Sequence, residues 1–256
     1  MSEESRPNGT QFEGKEQYVK EVFTEIASYY DEMNDLMSMG MIKGWHKFMM
    51  KKAGDLRSKK CLDIGTGTGE IAFLLSENAG KDGEVFGVDI TPKMLEYASM
   101  KMEKRELPKP VVFEVGDALS LRFEDGSFDI VTSGYMLRNV TDVQKAIDEM
   151  YRVLRPGGRA VVAELSKPDN RVIRFFYELY MKHRVYWLGR KYDKGKPIDG
   201  KYPAYEWLAS SVQGFPKGKE MTGKFLKAGF DEAHYFVKSM GAVNIYLGIN
   251  RAGFLY

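Results

Sequence analysis

Apolar residues recur along this chain in two alternating rhythms. Between Lys15 and Asp31, Val19, Val22, Phe23, Ile26, Ala27 and Tyr30 fall at helical spacing, which predicts an amphipathic helix ahead of the main fold. From Lys59 onward short apolar runs take over. Cys61 to Ile64, Val85 to Asp89, Val111 to Val115, Phe128 to Thr132 and Ala160 to Glu164 read as strands, with helical patterns from about Glu70, Pro92 and Val143 between them. Strand and helix in alternation mean βαβ crossovers, a parallel sheet, and a ligand site at the carboxyl ends of the strands. Arg155-Pro156-Gly157-Gly158 ends the helix from Val143 and turns the chain into the next strand. Late in the chain, Ala233 to Lys238 and Val243 to Asn250 read as two more strands, preceded by a helix from Lys219 to Lys227 that closes at Gly229. Their short connection cannot join a parallel pair, so one edge of the sheet is expected to be antiparallel.

The polar stretch from Met1 to Lys15 reads as a flexible N-terminus with no apolar core of the kind a secretory signal carries. Residues 16–256 then form one domain, with 16–55 as a helical cap and 170–215 as an inserted lid. The chain has 256 residues, 43% of them hydrophobic and 29% charged, as in a soluble globular protein. Its formal charge of +2 argues against nucleic acid as a general partner. Cys61 is the only cysteine, which leaves no internal disulfide, no ligand set for a cysteine-based zinc site, and a reducing cytoplasm as the natural setting. No run of about 18 apolar residues is present to span a membrane.

Candidate chemistry begins at Leu62-Asp63-Ile64-Gly65-Thr66-Gly67-Thr68-Gly69-Glu70, where the first strand meets its helix. Glycines there let the backbone lie directly against a ligand, although such a loop also suits a dinucleotide, a phosphate or mere packing. The spacing is G-x-G-x-G, unlike the dinucleotide fingerprint, and no Gly-Lys phosphate loop follows. Asp63 would repel a phosphate but suits an ammonium or a sulfonium. Asp89 ends the second strand, roughly where an acid that takes both ribose hydroxyls belongs. Asp117 closes the third and can accept from an adenine amino group. Three acids at successive strand ends favour S-adenosylmethionine, with S-adenosylhomocysteine as its product. The alternative is that Asp89 and Asp117 are capping or turn residues.

At this point the chain resembles the class I S-adenosylmethionine methyltransferases, and within them the quinone C-methyltransferases of menaquinone and ubiquinone biosynthesis. The resemblance runs from about Phe23 to Phe230. It rests on Tyr29-Tyr30-Asp31 with Asn34 and Leu36-Met37-Ser38, on Leu137-Arg138-Asn139-Val140-Thr141-Asp142, on Arg155-Pro156-Gly157-Gly158, and on Phe215-Pro216. It implies a Rossmann-like α/β fold with a mostly parallel sheet and an antiparallel edge strand. It also implies cofactor contacts at Thr68, Asp89, Asp117 and Ala118, and at Gly134, where serine is usual. Asp63, Gly65, Gly67 and Ile90 complete the expected cofactor set. Ile42 and Tyr246 stand where the family commonly has histidine, and the segment between Trp187 and Tyr205 is longer than is typical.

The implied acceptor is a small apolar molecule, a polyprenylated quinol such as demethylmenaquinol, methylated on carbon without a metal. Another small phenol or an amine remains open, as do a nicotinamide-dependent oxidoreductase and a non-catalytic cofactor-binding protein. Arg138 and Asn139 are the first catalytic candidates, the guanidinium to stabilise a phenolate and the amide to hold a hydroxyl or a water. Arg138 is a poor base, so a water beside it and a carboxylate from Asp31 or Glu164 is the expected proton acceptor. A structural salt bridge is the plainer reading of Arg138. Tyr30, Tyr135, His46 and Tyr205 are expected to face the acceptor, and a surface or helix-end role is the plainer reading of His46. The stretch from Val172 to Leu188 carries six aromatic residues among Arg174, Lys182 and Arg184, and residues 182–201 hold seven Lys or Arg against two Asp. Residues 172–201 therefore suit either peripheral contact with the inner face of a membrane or a buried lid with a solvated loop. A homodimer is allowed.

Overall fold

The computed structural model describes residues 13–193, 197–198 and 203–251; side chains are also left undescribed at Val185, Tyr186, Leu188, Gly189, Asp193, Tyr205, Leu208 and Ala209. Three helices come first: α1 (Lys15–Ile26), α2 (Tyr30–Ser38) and α3 (Ile42–Ala53). The alternating core follows as β1 (Lys60–Ile64), α4 (Glu70–Ala79), β2 (Glu84–Asp89), α5 (Pro92–Met102), β3 (Val112–Val115), β4 (Phe128–Gly134), α6 (Val143–Val153) and β5 (Leu154–Leu165). Then come α7 (Arg171–Tyr180), a π-helical turn (Met181–Val185), α8 (Tyr186–Asp193) and α9 (Ala204–Ser211). The chain closes with α10 (Lys219–Ala228), β6 (Glu232–Lys238) and β7 (Val243–Ile249).

The strands form one sheet in the order β3-β2-β1-β4-β5-β7-β6. All neighbours from β3 to β5 are parallel, whereas β7 runs antiparallel to both β5 and β6. The reversed strand thus lies one place in from the edge, and β6 is the edge itself. The order reverses between β1 and β4, which opens a crevice outside their carboxyl ends.

Local chemistry explains several boundaries. Pro92 opens α5 after extended Thr91, the Asp142 side chain caps α6 by accepting from Lys145 N, and Asn170 caps α7 through Val172 N and Ile173 N. Gly229, with φ 114°, ends α10. The Pro-Gly-Gly turn is absorbed into β5 as an irregularity, because the register on β4 jumps from Phe128 opposite Leu154 to Ile130 opposite Arg159.

One apolar layer packs on each face of the sheet, centred on Phe73 and Leu75 of α4 and on Ile147 and Met150 of α6. A third cluster joins Tyr18, Val22 and Ile26 of α1, Met33 of α2, Met94 of α5 and Trp207 of α9. This cluster holds the cap over the crevice. The single helix expected from Lys15 to Asp31 is broken: α1 ends at Ile26, and Tyr30, which also packs against this cluster, begins α2. Lys15, expected to be the last residue of a flexible start, is instead the first residue of α1, with its side chain buried and its Nζ donating to the carbonyls of Arg138 (3.2 Å) and Val140 (2.7 Å). Residues 1–12 lie outside the described ones. Among the described residues, no helix is long and apolar enough to cross a membrane.

Candidate active site

The loop between β1 and α4 is held from behind. Gly65 N and Thr66 N donate to Val88 O at 2.8 and 3.0 Å, and Gly67 N donates to Asp89 Oδ2 at 2.9 Å. Gly65 needs its positive φ of 67°, and a Cβ there would stand 2.5 Å from Met136 Cγ. Asp89 accepts from Thr91 N with its other oxygen (2.8 Å), and its pKa is raised by burial. In front of the loop, Asp89, Ile90, Asp117, Ala118, Gly134, Gly65 and Gly67 line one cavity. Among the described residues no Lys, Arg or His lines it; its other walls include Glu16, Ile64, Met94, Leu119 and Met136. An apolar slot with three acids, Glu16, Asp89 and Asp117, and no cation among the described residues fits an uncharged nucleoside and offers nothing to a pyrophosphate.

Asp63 departs from the expectation. It is 1% exposed, accepts from Thr132 Oγ1 at 2.7 Å, lies beside the Thr66 hydroxyl, and is absent from the cavity walls. Burial pushes its carboxyl up to about 7. The carboxyl therefore braces the loop from within the protein and does not face a cation across the cavity.

Asp31 also departs. Its carboxylate takes the Thr68 hydroxyl at 2.5 Å and Lys101 Nζ at 2.6 Å, while Lys101 bridges onward to Glu70 at 2.6 Å. Asp31 is thus committed to the loop and to α5, not to Arg138. The carboxylate beside Arg138 is Glu164, at 2.9 Å from Nη1, with the two side chains 4% and 0% exposed. Burial raises the Glu164 pKa against the opposing pull of Arg138. Arg138 also donates to Ser211 Oγ (3.2 Å) and to the Tyr135 carbonyl. Asn139 accepts from Trp207 Nε1 at 3.2 Å and donates to the Tyr135 carbonyl at 3.3 Å.

These contacts hold Tyr135 in a left-handed conformation (φ 63°) that is uncommon outside glycine, with a buried hydroxyl that has no hydrogen-bond partner. Tyr30 and Tyr135 line three cavities at once: the nucleoside slot, a second pocket behind the glycine loop, and a large apolar cavity of about 410 Å³. Arg138, Asn139, Trp45, Tyr177 and Trp207 are among the walls of the apolar cavity. His46 is buried, which overturns its plainer reading as a surface residue, and it lines the pocket behind the loop, not the apolar cavity. The side chain of Tyr205 lies outside the described residues; Ala204 and Trp207 of the same helix line the apolar cavity.

Lys15, Lys101 and Trp207 belong to no motif, because each works across a long separation that leaves no local pattern. Only the helical periodicity around Lys101 marks it as a residue with one face to cover.

The comparisons with known proteins agree with this geometry. The demethylmenaquinone methyltransferase of Lactococcus lactis is 40% identical over 89% of this chain and 88% of its own length. The ubiquinone/menaquinone biosynthesis C-methyltransferase UbiE of Pectobacterium carotovorum is 36% identical over 91% of each. Among solved structures, a SAM-dependent methyltransferase from Aquifex aeolicus shares the fold at TM-score 0.55 and 20% identity, over 80% of this chain and 89% of that one. The family model described as the ubiE/COQ5 methyltransferase family matches residues 11–250, and the chain belongs to that family of S-adenosylmethionine-dependent methyltransferases.

Proposed function

We propose that this methyltransferase acts on a ring carbon of a polyprenylated quinol such as demethylmenaquinol. The observation that carries the reading is that Tyr30 and Tyr135 are shared walls of the acid-lined nucleoside slot and of the apolar cavity. Donor and acceptor therefore meet at these two rings, and the large cavity offers an isoprenoid chain an apolar lining. The relatives from Lactococcus and Pectobacterium, whose names carry the same chemistry, support the assignment.

S-adenosylmethionine supplies an electrophilic methyl group on a cationic sulfur. The protein's part is to hold the nucleoside on Asp89, Ile90, Asp117, Ala118 and Gly134, with Gly65, Gly67 and Thr68 shaping the loop, and to exclude water from the junction. Arg138 faces the cavity as a fixed positive charge that favours the phenolate form of a ring hydroxyl. The Asn139 amide orients that hydroxyl or a water beside it. Once a hydroxyl proton has left, electron density on the adjacent ring carbon forms the new C–C bond as the C–S bond breaks. The ring carbon then releases its own hydrogen as a proton to restore aromaticity. A water held by Arg138 on its cavity side is the proton acceptor in this scheme, because Glu164 touches Arg138 directly and Asp31 is engaged elsewhere.

The acceptor is reached from a membrane surface in this reading. Val172, Phe175 and Phe176 of α7 are 66, 63 and 61% exposed, Trp187 is 63% exposed, and Met39 and Met240 at the cavity wall are 65 and 74% exposed. The adjoining Arg171, Lys182 and Arg184 are exposed cations suited to anionic lipid on the cytoplasmic face. Residues 16–55 then serve as a cap and 170–215 as a lid on a single catalytic unit.

The decisive experiment incubates the protein with methyl-labelled S-adenosylmethionine, reduced demethylmenaquinone and lipid, and locates the new methyl group by NMR. Label on a ring carbon is the expected result. Label on oxygen, or methylation only of an unprenylated phenol or an amine, would remove the quinol reading.

A further inference from the structure

The pocket behind the glycine loop carries a feature that the transfer scheme does not use. Asp89 and Asp117 line the nucleoside slot and are absent from this pocket, so the methionine part of the donor falls here. That part ends in an ammonium and a carboxylate, which need opposite partners. The ammonium is well served, because Asp31, Glu32, Asp35 and Glu70 all line the pocket. The carboxylate is not. The cationic side chain in the lining, Lys43, is 83% exposed and leans toward Asp35 at 3.9 Å. Lys101 and Arg105 are spent on Asp31 and Glu70.

His46 joins the Thr66 and Tyr135 hydroxyls as a buried polar group on this wall without a hydrogen-bond partner. It is 8% exposed, it lines the pocket, and its Nε2 is a buried ring nitrogen without a hydrogen-bond partner. The Tyr135 ring lies against it, with centroids 6.1 Å apart and planes 38° apart. Leaving such a nitrogen unpaired forfeits the hydrogen bond that water would have given it, a loss that a ligand group can restore. Burial lowers the His46 pKa to about 4, so the ring is neutral at pH 7 and carries one N–H.

We propose that His46 donates a hydrogen bond from Nε2–H to the carboxylate of the methionine part of S-adenosylmethionine. The inference rests on the cofactor assignment and deepens it. Asn34 and the Thr66 and Tyr135 hydroxyls share the pocket, but the cations nearby are engaged with carboxylates, and a neutral ring donor avoids adding a third cation beside the sulfonium and the ammonium.

The test compares S-adenosylmethionine with its decarboxylated analogue, which keeps the sulfonium, the amine and the nucleoside. By calorimetry on the full chain, His46→Ala is expected to weaken S-adenosylmethionine binding roughly tenfold or more, on the scale of a hydrogen bond to a charged group. Affinity for the decarboxylated analogue should stay at the wild-type value. His46→Gln, which keeps an N–H donor, should recover much of the loss. With three histidines in the chain, the His46 ring can also be followed by NMR. Its pKa should rise when S-adenosylhomocysteine binds and should not rise with a decarboxylated ligand. The charged and titratable groups that share its pocket are Glu70 of α4, whose carboxylate acts on the ring, Tyr30, Asp31, Glu32 and Asp35 of α2, Lys43 of its own helix, and Tyr135.

Equal loss of both ligands would overturn the proposal and leave His46 a packing role. Unchanged donor affinity with a raised KM for the acceptor would overturn it in favour of an acceptor contact. Wild-type protein that binds neither donor would remove the cofactor assignment along with it, a failure recognisable before any variant is made.

Discussion

Arg138 and Glu164 form a buried ion pair, Nη1 to Oε2 2.9 Å, beneath the point where the apolar cavity meets the nucleoside slot. A charge pair in such a place is an odd choice for stability alone, because desolvation consumes most of the attraction. Its value is a guanidinium held at the acceptor cavity by an anchor that does not itself line that cavity. Removing either member strands the other. Arg138→Ala and Glu164→Ala should each lose about 3–5 kcal/mol of stability in urea unfolding. Arg138→Lys, which keeps the charge without the planar fork, should lose less stability and still lower turnover, with affinity for S-adenosylhomocysteine nearly intact. Equal loss of cofactor affinity in Arg138→Lys and in Asp89→Ala would contradict this division of roles.

Asp89 has two tasks, which separate on substitution. It fixes the Gly67 and Thr91 amides and presents its carboxylate to the nucleoside slot. Asp89→Ala should weaken S-adenosylhomocysteine binding by at least roughly tenfold, since it removes charge-assisted hydrogen bonds on both sides. Calorimetry measures the loss. Asp89→Asn keeps an acceptor for one amide and should fall between the two.

Asp63 makes stability depend on pH in an unusual direction. Its folded pKa is about 7, raised from 3.8 by burial. The folded state therefore binds a proton that the unfolded state has already released between these values, and folding stability falls as pH rises through that window. From pH 5 to pH 7.5 the contribution lost is about 2 kcal/mol. Asp63→Asn keeps an acceptor for Thr132 without a titrating proton. Urea unfolding at both pH values should show a smaller difference for the variant than for wild type. An identical difference would mean that the Asp63 carboxyl is not buried in the way described.

The exposed aromatic residues of α7 and α8 give a test that leaves the active site alone. Phe175 and Trp187 do not line the apolar cavity. Replacing both with Glu should reduce co-sedimentation with vesicles of anionic lipid, through lost apolar insertion and added repulsion. S-adenosylhomocysteine affinity should not change. Undiminished sedimentation would place any membrane contact elsewhere.

Much of this protein is legible along the chain. Alternating runs from Cys61 to Glu164 specify a parallel sheet, and the short link between the last two strands specifies a reversal near its edge. The glycine loop, Asp89 and Asp117 mark the cavity proposed for the nucleoside, because each sits at a strand end where the chain must turn. Those features depend on backbone geometry and on period, which neighbouring residues determine. The direction of a side chain and its distant partner do not follow from period. Asp63 points into the protein, where Thr132, 69 residues away, meets it. Asp31 turns to Lys101 and not to Arg138, and Lys15 crosses 123 residues to reach the Arg138 carbonyl. His46 lines the pocket behind the glycine loop because α3 packs there. Such pairings come from how layers stack and what burial costs each charge, quantities that exist only once the chain has folded in three dimensions.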